Sequence, residues 1–212
     1  ATKVALIWEE VFAETTETSE LVNVIATQTA NPWITNRLIS GDGWKANDPD
    51  GFVDPSSVFE ELGVTTYFGS KIVSTEETRL ELISAIEDPG IDAAAWLTER
   101  LLDPAQKSSL PDALATLLEN KAIADEHGLD MVAYEGGQHV HHIDGVSSLT
   151  SEQIGAMTNF LIEYARGPEM AMLYEELWNG WSEMSDGAFM MLKDVQAPSK
   201  NGTQFLANLD DS

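Results

Sequence analysis

The segment MVAYEGGQHVHH, residues 131 to 142, places a carboxylate, two glycines and three histidines directly after a short apolar run. The apolar run predicts a strand, and Tyr134 and Glu135 stand where that strand would end. An acid at the carboxyl end of a parallel strand is in position to act as a nucleophile, a base or an acid. Gly136 and Gly137 would let the backbone turn without side chains that block a ligand. We therefore predict that Glu135 is functional, with a solvated turn acid as the alternative.

The histidines that follow Glu135 allow a second interpretation. In an extended chain His139 and His141 face the same way, and Asp144 would complete a set of three ligands of the kind that binds zinc. The chain has only four His and no Cys, however, and the remaining His127 stands at a predicted helix end. We therefore predict no metal, and we assign His139 to orienting Glu135 or to binding a substrate hydroxyl.

Three other predicted strand ends carry polar or aromatic side chains. The first strand leads to Gln28 and Trp33, the second to Tyr67, and the last to Asp194. Amides bind hydroxyl groups through paired donors and acceptors, and a flat indole stacks on the apolar face of a sugar ring. Each of these residues taken alone is more often structural. Together with Tyr134, which could bind the carboxylate or line the pocket, they predict a site for a sugar or another polyol.

The order of predicted elements indicates the fold class. A helix with one apolar face is expected over residues 2–13, and strands are expected at 21–27, 63–69, 131–133 and 187–194. Residues 28–44 contain Pro32 and a Gly-Asp-Gly turn, which predicts a loop with at most a short helix. Helices separate the later strands, and this alternation is typical of a parallel sheet covered by helices. We predict one α/β domain over residues 1–212, with fewer strands than a closed eight-stranded barrel needs.

Helix boundaries follow from capping signals. Ser74 with Glu77, and Thr150 with Gln153, have the spacing of a capping box at a helix start. Gly128 stands where a helix that begins near Ser109 needs a left-handed C-terminal residue. The apolar stripes of two helices are predicted to consist of Leu114, Leu117 and Leu118, and of Met170, Leu173, Leu177 and Trp181.

Composition limits the classes of partner. The chain has 36 acidic and 11 basic residues and a formal charge of -25, which would repel nucleic acid and anionic membranes. The acidic residues are spread along the chain, as expected for a solvated surface. No apolar run approaches transmembrane length, and no motif indicates a cofactor. The absence of Cys leaves the compartment open, and we favour an extracellular location.

Four segments in order, LVNVIATQTANPW, VTTYFG, MVAYEGGQH and FMMLKDV, resemble the C-terminal half of bacterial glycoside-hydrolase-like TIM-barrel proteins, some of them described as cellulose-binding. The resemblance covers nearly the whole chain, and Tyr-Glu-Gly-Gly with a following His is its sharpest element. It implies that the predicted strands correspond to the fifth to eighth of a (β/α)8 barrel. It also implies that Glu135 is the nucleophile of a retaining glycosidase.

The same resemblance implies a second acid, in an Asn-Glu pair that ends the fourth strand. No Asn-Glu pair occurs in the sequence, and Asp42 and Asp194 are candidates without a supporting motif. We therefore expect a C-terminal fragment of a larger barrel whose partner acid lies upstream of Ala1. Such a half barrel would expose apolar strand faces and should dimerise, aggregate or need its N-terminal half. The alternatives are a non-catalytic carbohydrate-binding module and a structural protein that pairs two half barrels.

Overall fold

A computed structural model describes residues 1–13, 21–141 and 149–192. The described residues form eight α-helices and three β-strands. The helices are α1 (Thr2–Ala13), α2 (Pro32–Ser40), α3 (Asp42–Asn47), α4 (Glu76–Glu87), α5 (Ala93–Leu102), α6 (Leu110–Glu126), α7 (Ser151–Tyr164) and α8 (Pro168–Met184). The strands are β1 (Val24–Ala26), β2 (Glu61–Phe68) and β3 (Asp130–Gln138), and a 3₁₀ turn spans Pro55–Ser57.

The strands form one parallel sheet in the order β1-β2-β3, with helices between them along the chain. In the β1–β2 ladder Val24 pairs with Glu61 and Ala26 with Gly63. The predicted α/β class with a parallel sheet is therefore confirmed. Short branched apolar segments between helices give buried strands because both sheet faces in such folds are covered.

One part of the predicted order is confirmed only in part, and another is wrong. Of the strand expected at 187–194, the described residues show a single parallel bridge between Phe189 and Ala133, and residues 193 and 194 lie outside the description. The segment expected to be a loop contains α2 and α3. Pro32 begins α2, where its missing N–H costs no hydrogen bond, and Gly41 ends it with a φ of 61°. Proline and glycine usually interrupt helices, but Pro32 and Gly41 lie at the two ends of α2.

The capping predictions are confirmed at two helices and wrong at one. At α7, Thr150 Oγ1 accepts from the amide of Gln153, 3.2 Å away, as predicted. Gly128 follows α6 with a φ of 70°. At α4 the cap is Thr75, whose hydroxyl accepts from the amide of Thr78, so the box starts one residue after the predicted Ser74. A threonine at N3 serves as well as a glutamate because its hydroxyl reaches the cap backbone.

The apolar helix faces differ in what they meet. The predicted stripe of α8 is buried throughout, as is Leu117 on α6, whereas Leu118 is 56% exposed. On α1 the buried residues are Thr2 and Ala5, Leu6 and Phe12 are half-buried, and the other large apolar side chains face solvent. Of the helices in the described part of the chain, none combines the length and apolar character needed to cross a membrane.

The chain divides into two compact units, with boundaries inside β2 after Thr65 and inside β3 after Tyr134. Of the described residues, unit 1 comprises 1–13, 21–65, 116–134 and 184–190, and unit 2 comprises 66–115, 135–141, 149–183 and 191–192. Ile25, Leu62 and Val64 belong to the core of unit 1. Unit 2 packs α4 against α5 and α7. Its core includes Phe68, Leu82, Leu97, Leu161 and Leu173.

Candidate functional site

Glu135 lies within β3 and not at its end. The strand continues through Gly136 and Gly137 to Gln138, and Glu135 is half-buried. The prediction that Glu135 terminates its strand is therefore wrong. The error came from treating Gly-Gly as a turn signal, whereas here both glycines are strand residues.

The local geometry of β3 explains both glycines. A Cβ on Gly136 would lie 1.7 Å from Oγ1 of Thr66 on β2, so only glycine permits this approach of the two strands. Gly137 has a φ of 114°, which other residues rarely adopt. The amide of Asp130 donates to the carbonyl of Glu60, and the amide of His139 donates to the carbonyl of Phe68. Between these two hydrogen bonds the chain advances nine residues along β3 but only eight along β2. β3 therefore contains one extra residue, as in a β-bulge, a feature that is common beside active sites.

Three rings pack together at the carboxyl ends of two neighbouring strands in unit 2. Tyr67 is the penultimate residue of β2, and His139 follows β3 directly. Their ring centroids are 5.1 Å apart, and those of His139 and His141 are 4.6 Å apart. We call Tyr67, His139 and His141 the ring cluster. The carboxyl ends of parallel strands are where α/β proteins bind their ligands.

The protonation state of His139 follows from its packing. Much of the residue is exposed, but its imidazole lies between the rings of Tyr67 and His141. Loss of hydration lowers the pKa of His139, and positive charge on His141 lowers it further. A neutral imidazole has one donor and one acceptor nitrogen. His139 can thus bind a hydroxyl group through either nitrogen at neutral pH.

Two buried polar atoms in unit 2 have no hydrogen-bond partner among the described residues, Oγ1 of Thr66 and Nε2 of Gln138. The other atoms of Gln138 are engaged, because its Oε1 accepts from the amide of Val140 at 2.7 Å. Its own amide donates to the hydroxyl of Tyr174 at 2.9 Å. The sequence analysis missed Gln138, although its place in Gly-Gly-Gln-His beside Glu135 was a signal. Unsatisfied buried donors are rare and indicate a bound partner or a strained site.

In unit 1 the predicted site residues are exposed. Gln28 follows β1, and its carbonyl accepts from the amide of Asn31 at 3.0 Å. Trp33 lies on α2, is 67% exposed and has the guanidinium of Arg37 at 5.6 Å from its ring centroid. Tyr134 is 39% exposed, and its ring would lie 3.3 Å from a Cβ at Gly63. The prediction that Glu135 shares a pocket with Gln28 and Trp33 stays a prediction.

A buried polar network lies beneath the Gln28 loop. The hydroxyl of Thr35 contacts that of Thr27 at 2.8 Å and donates to Oδ1 of Asn120 at 2.6 Å. Asn120 in turn donates to the carbonyl of Thr29 at 3.0 Å, and the Thr29 hydroxyl accepts from the amide of Thr65 at 2.7 Å. These contacts join the loop that follows β1 and carries Gln28 to α2, α6 and β2. Sequence reasoning missed them because they link residues far apart in the chain.

The remaining candidates give no further site. Asp144 and Asp194 lie outside the described residues, and Asp42 opens α3 with an ion pair to Arg37 at 3.7 Å. In the parts of the chain that are described, no group of three or more His, Asp or Glu is arranged to hold a metal ion. Neither a family model, nor a curated protein, nor a solved structure matches this chain. The site is therefore interpreted from its geometry.

Proposed function

We propose that the chain is a glycoside-hydrolase-like protein that binds a saccharide at the ring cluster of unit 2 and uses Glu135 as its nucleophile. The observation that carries the proposal is the packing of Tyr67, His139 and His141 at the carboxyl ends of β2 and β3. Sugar hydroxyls need closely spaced donors and acceptors, and sugar faces need flat rings. Phenol and imidazole groups supply both.

Two further observations support a ligand at this end of the sheet. The extra residue in β3 falls in the strand that carries Glu135, where a bulge redirects side chains. The donor Nε2 of Gln138, without a protein partner among the described residues, belongs to the same strand. The alternation of parallel strands and helices also supports the proposal, because the resemblance implies a barrel half built from such units.

The proposed chemistry requires two carboxyl groups. In retaining cleavage the carboxylate of Glu135 attacks the anomeric carbon as the glycosidic bond breaks, while an acid protonates the departing oxygen. Water then hydrolyses the glycosyl ester with the second residue acting as a base, which regenerates Glu135. The proposal assigns the acid to a carboxyl group outside these 212 residues, as the resemblance implies. His139 would bind a substrate hydroxyl near the reacting sugar.

A trapping experiment tests Glu135 without the second acid. In a fluorosugar glycoside with a dinitrophenolate leaving group, the dinitrophenolate departs without protonation. The nucleophile alone is therefore enough to label the protein. We expect one covalent glycosyl group on Glu135 by peptide mass spectrometry and none in Glu135→Gln. Labelling of another residue, or equal labelling of the Gln variant, would remove Glu135 from the mechanism.

One observation favours a second candidate, a non-catalytic saccharide-binding protein. Glu135 lies inside β3, three residues before the strand ends, and not at the strand terminus where a barrel nucleophile is expected. Calorimetric titration with gluco-, xylo-, manno- and chito-oligosaccharides separates the two functions. Binding that falls at least about tenfold in Tyr67→Ala and His139→Ala, without covalent labelling, would identify a binding module. Trp178→Ala, an exposed aromatic on α8, is the matched control and should bind normally.

A further inference from the structure

Helix α1 presents four large apolar side chains to solvent. Val4, Ile7, Trp8 and Val11 are 56%, 59%, 52% and 47% exposed. Their spacing places them on one face of the helix, and we call them the α1 stripe. Such a continuous exposed apolar patch marks an interaction surface.

The helix itself is firmly attached to unit 1 on its other side. Thr2 and Ala5 are buried, and Glu9 accepts a hydrogen bond from Nδ2 of Asn23 at 3.2 Å. A cavity of about 570 Å³ next to the stripe is lined by Val4 and Trp8 and by Val22 and Val24 near the edge strand. Both of these valines are 44% exposed. The apolar surface thus continues from α1 to the edge of the sheet.

Charge limits what can cover this surface. Each chain has a formal charge of -25, so two copies repel each other wherever acidic faces meet. The α1 stripe contains no charged residue. A second copy of the chain can therefore approach through the stripe at less electrostatic cost than through its acidic faces.

The stripe is also complementary to itself. Its positions read the same in both directions, so a two-fold axis between Ile7 and Trp8 sets Val4 of one copy opposite Val11 of the other. Lys3 and Glu10 are two turns apart and lie on the same flank of α1. An antiparallel pair brings that flank against itself, which sets each Lys3 beside Glu10 of the other copy. The Lys3 side chain is 74% exposed and lies 3.9 Å from Asp48 in a surface ion pair, and Glu10 of the other copy can replace Asp48 as its partner because exposed ion pairs are weak.

From these observations we infer that the chain forms a two-fold symmetric homodimer through antiparallel pairing of its α1 helices. The stripe supplies the apolar centre, and the Lys3–Glu10 pairs set the orientation at both ends. Antiparallel pairing also aligns opposite ends of the two helix dipoles. This inference does not depend on the proposed saccharide site.

Sedimentation equilibrium of the 212-residue chain tests the dimer. We expect a monomer–dimer equilibrium with a dissociation constant of about 1 to 100 µM, as suits a small interface. The double variant Ile7→Ser with Trp8→Ser should raise this constant at least about a hundredfold. Leu118→Ser, at an equally exposed apolar residue of α6 in the same unit, should leave it unchanged. Since the changed side chains are exposed, circular dichroism should show a native fold in each variant.

Charge reversal tests the antiparallel arrangement. Lys3→Glu and Glu10→Lys should each weaken dimerisation about tenfold, and the double reversal should restore it. General repulsion predicts something different, because Glu10→Lys reduces the net negative charge and would then strengthen association. A chain that stays monomeric, as expected if another protein covers α1, would overturn the inference. So would a dimer insensitive to the stripe variants, or one that the double reversal fails to restore.

Discussion

Buried polar side chains are satisfied in one unit and left partly unsatisfied in the other. In unit 1 the hydroxyl of Thr35 bonds to Thr27 and Asn120. In unit 2 the equally buried hydroxyl of Thr66 has no partner among the described residues, nor does Nε2 of Gln138. A satisfied network specifies a unique packing, whereas an unsatisfied buried group costs stability unless something binds it. In unit 1 these buried polar groups therefore stabilise one packing arrangement, whereas under the proposed function the unpartnered groups of unit 2 are those that a ligand would bind.

The largest effect is expected where unit 2 is packed most tightly. Gly136→Ala would set a methyl group 1.7 Å from Oγ1 of Thr66 and 2.9 Å from its Cβ. The new methyl group and the Cβ of Thr66 are each bonded directly to a strand backbone, so side-chain rotation cannot relieve their contact. Strands β2 and β3 would therefore have to separate. We expect the free energy of unfolding to fall by about 3 kcal/mol or more, measured by denaturant titration.

A matched glycine in the same unit serves as the control. A Cβ added to Gly155 on α7 meets nothing within 4 Å. Gly155→Ala should therefore raise the free energy of unfolding by up to about 1 kcal/mol through helix propensity. Adding Thr66→Ala to Gly136→Ala should recover part of the loss. Equal small effects of both glycine substitutions would show that the close contact between β2 and β3 is not required.

The next effect compares the two buried hydroxyls directly. Thr35→Val removes two hydrogen bonds and leaves Oδ1 of Asn120 short of a donor, so it should cost about 2 to 3 kcal/mol of unfolding free energy. Thr66→Val replaces a hydroxyl that lacks a partner among the described residues with a methyl group of similar shape. The larger methyl group also presses against Gly136, so the free energy of unfolding should change by less than about 1 kcal/mol in either direction.

Both substitutions keep a β-branched side chain, so the difference between them reports hydrogen bonding more than shape. Chemical denaturation of the two variants under one buffer condition gives that difference. A cost at Thr66 as large as that at Thr35 would mean that ordered water satisfies Thr66. The contrast between the units would then disappear.

Much of the fold could be predicted because it depends on local patterns. Alternating apolar segments and helices predicted the parallel α/β class, and capping signals such as Thr150 with Gln153 marked a helix start correctly. The errors occurred where one residue type serves opposite purposes. Pro32 and the Gly-Asp-Gly turn at Gly41 predict a loop, but Pro32 begins α2 and Gly41 ends it. The apolar face of α1 was recognised, yet only the structure shows that it faces solvent.

The candidate site was less predictable because it depends on register between strands. The sequence patterns point to Tyr67 and to His139 as separate site residues. Only the pairing of β2 with β3 shows that their rings are in contact. Nothing local to Gly136 indicates that Thr66 lies against it. The extra residue in β3 also breaks the alternation from which the direction of Glu135 would be predicted. Contacts between residues 70 positions apart have no local signal.

The smallest expected effect concerns pH and the ring cluster. The pKa of His139 is lowered in the folded chain from an ordinary value of about 6.5, so the unfolded chain binds more protons below that pH. Stability should therefore be complete above about pH 6.5 and should decline as pH falls below it. His139→Gln should reduce this decline in thermal unfolding scans, while His127→Gln, outside the cluster, should retain it. Tyr67→Leu should preserve much of the decline if packing is its cause, because leucine also excludes water from the imidazole. An identical pH profile in the wild type and His139→Gln would show that the ring cluster does not desolvate His139, and the case for a neutral imidazole at the proposed saccharide site would weaken with it.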